Sequence, residues 1–212
     1  MNELPSLPEC ISRLRDRVRL HREAGEKLLG TRDGKLVSSH MLVAALLNRS
    51  MGLIRGFCTM ISDNYICAAP LVRLQLDNVL RFSALWLVDD RDDFTAKVIG
   101  GEPFNRLKDR DGKQMNDSYL AQRMDGKVPG LAQAYKEACG YIHFSDAHLY
   151  HTVVSTGETS VRIEIGEDLG VTEADRKEGV LVMDQMTCLL LRFMRSYLEE
   201  HERFVEGGPD AN

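Results

Sequence analysis

Apolar residues recur at intervals of three and four along most of this chain, the spacing of a helix with one buried face. Leu7, Ile11, Leu14, Val18, Gly25 and Leu28 form the first such line, with His21 on it, and predict a helix over residues 8–29. The Asp33-Gly34 pair predicts a turn at residues 31–35. A second helix is expected from Ser38 or Ser39, either of which can cap it, to about residue 61. Gly52 and Gly56 lie within it and either weaken it or let another helix come close. Asp63 and Asn64 then break the chain before a third helix over residues 65–88, where Pro70 predicts a kink or a start near Ala69.

The second half is more broken. A short helical piece follows the acidic end at residues 89–93, and residues 100–118 read as a polar surface loop. Helices are predicted over 119–124 and 131–144. Residues 151–156 and 160–165 are β-rich, with Thr156-Gly157-Glu158-Thr159 between them, which predicts a hairpin. Thr172-Glu173-Ala174-Asp175 is a capped helix start. Met183, Met186, Leu190, Phe193 and Tyr197 then define the strongest helical line of the chain. The expectation is one mainly all-α domain over residues 1–206, a multi-helix bundle with a small β-hairpin near 151–165 and a frayed tail at 207–212. Its core is expected from the helices around 40–61, 65–88, 131–144 and 173–204.

The third helix carries the chemistry. It is apolar on nearly every side, yet Arg73, Asp77 and Arg81 fall four residues apart and share one face. Charge on a helix of this kind is costly unless it is paired and hydrogen-bonded. Two readings follow: an ion network that sets the register of the bundle, or a pocket in which an arginine fork holds a phosphate or carboxylate while Asp77 orients it. Gln75 and Asn78 add to the polar content of the same helix.

Three of the six histidines fall within nine residues, His143, His148 and His151, beside Ser145 and Asp146. Histidine suits proton transfer near neutral pH, so His143 and His148 are candidate polar site residues. A metal reading needs a better ligand set than this spacing offers, and no metal and no cofactor are expected. Arg15, Arg19 and Arg22 share a side of the first helix and read as a solvated face or a local surface for an anionic partner such as RNA. Asp109-Arg110-Asp111-Gly112 starts like a calcium loop, but its glycine comes too early and no late glutamate follows.

Composition narrows the class. The chain has 212 residues, 43% hydrophobic and 28% charged, the balance of a globular protein. Its net charge of −5 argues against binding nucleic acid or anionic membrane over its whole surface. Five cysteines without a CxxC motif read as thiols in a reducing compartment. Neither a signal peptide nor a membrane span is expected, and a cytoplasmic location follows.

The run Ala68-Ala69-Pro70-Leu71-Val72-Arg73-Leu74-Gln75-Leu76-Asp77-Asn78, with the later Gly140-Tyr141-Ile142-His143-Phe144-Ser145, resembles uncharacterised bacterial proteins related to HEPN-like helical domains. The resemblance covers roughly residues 38–150. It implies an all-helical bundle, often dimeric, in some cases linked to RNA cleavage in toxin or phage-defence systems. Its site residues map to Arg73, Asp77, His143 and Ser145. The chain departs from the nuclease pattern of an arginine followed at short range by a histidine. Arg15 with His21 and Arg195 with His201 match, but 19 arginines and six histidines yield such pairs by chance.

The leading expectation is a phosphate-bearing ligand, nucleotide or RNA, held by Arg73, Asp77, Arg81, His143, Ser145 and His148 in a homodimeric protein. The first alternative is a metal-independent ribonuclease with His143 or His148 as acid/base and Arg73 stabilising the transition state. The second is a structural or partner-binding bundle with no ligand site.

Overall fold

The computed structural model describes residues 5–30, 37–143, 145–155, 157, 160–163, 165, 166, 168 and 170–206. The turn expected at 31–35, Phe144, the hairpin residues Thr156, Glu158 and Thr159, and the tail at 207–212 lie wholly or partly outside those residues. Four long helices make the body: α1 (Leu7–Gly30), α2 (Ser38–Met60), α3 (Tyr65–Ser83) and α8 (Glu173–Glu206). Shorter pieces lie between α3 and α8: α4 (Arg91–Ile99), α5 (Asp117–Asp125), α6 (Leu131–Cys139) and α7 (Asp146–Thr152). Strands β1 (Val153–Ser155) and β2 (Val161–Ile163) pair antiparallel, with Val154 opposite Arg162. The molecule is a mainly α-helical bundle, as the apolar spacing predicts.

The core forms where α1, α2, α3 and α8 face one another. One cluster gathers Leu28, Val43, Leu47, Leu76, Leu80 and Leu190; a second gathers Ile11, Leu14, Ile54, Phe57, Ile61 and Met183. Two expectations change here. The first helix belongs to the core, with Leu14 and Leu28 fully buried. The helix at 131–139 is peripheral instead, with Leu131 its one buried residue. By length and composition α2 is apolar enough to cross a membrane, contrary to expectation. Its sides are occupied by α1, α3 and α4, as befits the central helix of a bundle.

Helix ends show where local signals are overruled. Asn64 and Asp90 cap α3 and α4 as their chemistry suggests, accepting from Cys67 N–H and from Asp92 and Asp93 N–H. Thr172 and Asp175 close a reciprocal capping box on α8, with the Thr172 amide and hydroxyl both 2.7 Å from Asp175 Oδ2. Neither Ser38 nor Ser39 caps α2. Val37 holds that position, and the amide of the buried Ser39 donates instead to Asp92 Oδ1 of α4 at 2.8 Å. Pro70 sits in the sixth position of α3, which starts at Tyr65.

The polar loop at 100–118 is more built than its composition suggests. Leu107 and Met115 are buried, and Asp109 accepts from the Asp111 and Lys113 amides and from the Tyr119 hydroxyl. The carboxylate that begins the calcium-like motif is thereby spent on its own loop. Arg110 donates to the carbonyls of Trp86, Leu87 and Val88, tying the loop to the short 3-10 turn that ends the third helical segment.

Candidate functional site

Arg73, Asp77 and Arg81 share one face of α3, and that face meets α2, α5 and α6. Arg73 is only 8% exposed. Its Nη2 donates to Asp117 Oδ2 at 2.9 Å, and its guanidinium lies 4.5 Å from the Tyr135 ring centre. Arg81 pairs with Asp77 at 3.2 Å and with the other oxygen of Asp117, while its guanidinium covers the Phe104 ring at 4.4 Å. Arg49 of α2 completes the set with a 3.0 Å bond to Asp77. The result is an alternating ladder, Arg49–Asp77–Arg81–Asp117–Arg73, across three helices. Burial opposes the charge of Arg73, but its hydrogen bonds to Cys139, Asp117 and Tyr135 prevail and raise its pKa above the usual arginine value. It stays a cation at any pH at which the protein is folded.

One expected role changes. Asp77 does not orient Arg73; it bridges Arg81 and Arg49, and Asp117 is the partner of Arg73. Asp117 had no local signal. It lies 44 residues from Arg73, and neither helical spacing nor motif links them. The only sequence hint is general, that buried arginines require acids from elsewhere.

The ladder continues inward as neutral hydrogen bonds. Arg49 also donates to Asn78, the Asn78 amide donates to Gln75 at 3.1 Å, and the Gln75 amide donates to Ser50 at 2.7 Å and to Thr187 at 3.2 Å. Ser50 lies 2.9 Å from His21 Nε2, and His21 Nδ1 lies 2.8 Å from the Arg17 carbonyl. A carbonyl only accepts, so the His21 proton sits on Nδ1 and Ser50 donates to Nε2. Every amide in the chain therefore has one orientation. Gln75, Asn78, Ser50 and His21 are each fully buried, and burial lowers the His21 pKa despite the opposing Arg17 bond.

The histidine segment is built differently. His143 is exposed at the turn after α6, where its amide donates to the Cys139 carbonyl at 3.3 Å. Arg73 feels Cys139, the last residue of α6, whereas His143 lies four residues further on. Ser145 and His148 serve the start of α7: the Ser145 amide donates to His148 Nδ1 at 3.2 Å, and the Ser145 hydroxyl donates to the Gly140 carbonyl at 2.7 Å. Two separate cavities border these groups. One, of about 440 Å³, is lined by Arg81, Asp117, Tyr135, Asn105, Asn116 and Ser118. The other, of about 410 Å³, includes Ser145 and His151 but neither Arg73 nor Arg81. The six expected site residues are thus divided among a charge ladder (Arg73, Asp77, Arg81), a helix cap (Ser145, His148) and an exposed turn (His143).

Comparison with protein-family models, with curated proteins and with solved structures found no match for this chain.

Proposed function

We propose that this chain is a structural, partner-binding helical bundle in which the Arg73–Asp77–Arg81 line is an interhelical clamp. The observation that carries this reading is the placement of Asp117, whose Oδ2 accepts from Arg73 and whose Oδ1 is ion-paired with Arg81. The arginines expected to hold a phosphate already hold a carboxylate, and an incoming anion has to displace it. Removing one partner from a buried ion pair strands the other, at about 3–5 kcal/mol. Asp117 keeps about a quarter of its side chain exposed, and solvent screening places its loss somewhat below that range. Asp117→Asn should therefore lower unfolding stability by roughly 2–3 kcal/mol in urea denaturation. A change below about 0.5 kcal/mol, the scale of a surface pair, would remove the clamp.

A second reading, a phosphate-bearing ligand at Arg81, draws on a different observation. Three guanidiniums face two carboxylates in the ladder, leaving one positive charge, and Arg81 Nη1 is buried without a hydrogen-bond acceptor among the described residues. Calorimetric titration with AMP and with a short single-stranded RNA, both in EDTA, separates the readings. Binding that Arg81→Lys abolishes favours the anion site. RNA cleavage in EDTA that His143→Ala abolishes favours the HEPN-like ribonuclease. Inertness towards both supports the clamp.

A further inference from the structure

The second cavity has the opposite character to the arginine ladder. Its floor is apolar, built by Phe57, Ala69, Val72 and Val182 from α2, α3 and α8. Three rings border it: Tyr65 of α3, Tyr141 after α6, and His151 of α7. Tyr65 stands nearly perpendicular to both others, at 6.2 Å from Tyr141 and 5.3 Å from His151, while those two lie within 21° of parallel. Rings of more than one orientation therefore border a single cavity of about 410 Å³.

The charged lining is of one sign. Glu137, Asp146, Asp175 and Glu178 border the cavity, and among the described residues no lysine or arginine does. Beside Asp175 and Glu178, Arg176 is turned to Asp168 at 3.3 Å and Lys177 to Glu173 at 2.8 Å. Asp175 and Glu137 accept from Thr172 and Gln133, neutral donors that leave both carboxylates negative. The negative field is felt inside the cavity. Burial raises the Tyr65 phenol well above its usual pKa, and the nearby Tyr141, Asp175 and Glu178 push the same way. Burial also lowers the His151 pKa, so its ring is neutral at pH 7 and does not repel a cation.

An apolar floor takes an alkyl body, ring faces attract a cation through their quadrupoles, and carboxylates at the rim complete the charge match. An anion meets four carboxylates there and, among the described residues, no lysine or arginine to offset them. We propose that this cavity is a binding site for a small organic cation of the substituted-ammonium class. The ligand sets its alkyl groups against Val72 and Val182, and its charged head towards the Tyr65–Tyr141–His151 rings and the four acids. This assignment uses none of the clamp residues, since neither Arg73, Asp77, Arg81 nor Asp117 lines the cavity.

Calorimetric titration with choline, set against its uncharged isostere 3,3-dimethyl-1-butanol, isolates the charge from the shape. Choline should saturate the protein, with the isostere weaker by about tenfold or more. Tyr141→Leu and Glu178→Gln should each weaken choline severalfold with the melting temperature unchanged; Glu178 is exposed, so its conservative change does not threaten folding. Equal affinity for choline and the isostere would overturn the proposal, reducing the site to an apolar cavity. So would choline binding that neither variant weakens, or no saturation in the millimolar range.

Discussion

His21 shows how a single buried side chain sets a pH limit on the fold. Its ring accepts from Ser50 and donates to the Arg17 carbonyl, and burial depresses its pKa below the 6.5 of an exposed imidazole. The unfolded chain therefore binds a proton that the folded chain refuses, and stability rises with pH across this interval. The contribution is fully present above about pH 6.5 and is lost as the pH falls towards the folded-state value. Denaturation midpoints measured from pH 7.5 to 5.5 should fall, and His21→Gln should flatten that slope. His151, also depressed by burial, adds a smaller term of the same sign, so a His21→Gln,His151→Gln double variant should be flatter still. The sequence shows His21 on the apolar line of its helix, and so its burial. Its side-chain partner is not visible there, because Ser50 comes from α2 and is held in turn by Gln75 of α3.

At the scale of elements, α8 is the one whose sequence states most of its structure. Its capping box, its apolar line and its length all agree, and the helix runs as that agreement predicts. Gly179 is the exception within it. A methyl group there meets Ile61, Tyr65 and Phe57 at 3.6, 3.6 and 3.8 Å, ordinary contact distances. Gly179→Ala should therefore stabilise the protein by roughly 0.5–1 kcal/mol, the helix cost of glycine, read as a higher urea midpoint with the same slope. The third helical segment is legible in the same way: a buried helix crossed by a polar line. What the line does is not legible. Spacing places Arg73, Asp77 and Arg81 on one face, but Asp117 and Arg49 arrive through the packing of α5 and α2. The start of α2 fails for a related reason, since Asp92, far along the chain, supplies what Ser38 and Ser39 seem suited to give.

For the whole molecule, order is unevenly distributed. The four long helices share two clusters of buried side chains, whereas β2 is exposed at all three of its residues and Ile165 is 96% exposed. Segments with few buried contacts open at low free energy, and those in the core open only with global unfolding. Native-state hydrogen exchange should find the slowest amides in α2, α3 and the middle of α8. Those of α7, β1 and β2 should exchange first. Uniform protection across both halves would contradict the packing described above.

The hydrogen-bonded chain from Arg49 to the Arg17 carbonyl also has a direction. Each link passes its donor the same way, through Asn78, Gln75, Ser50 and His21, so no amide can turn over without setting two acceptors or two donors face to face. Such a chain behaves like a sentence that parses only when read from one end. A change at one link alters what its neighbours have to be, and the effects of two such changes do not add. These buried residues therefore constrain one another's replacement, and the interior of this bundle varies as a set or not at all.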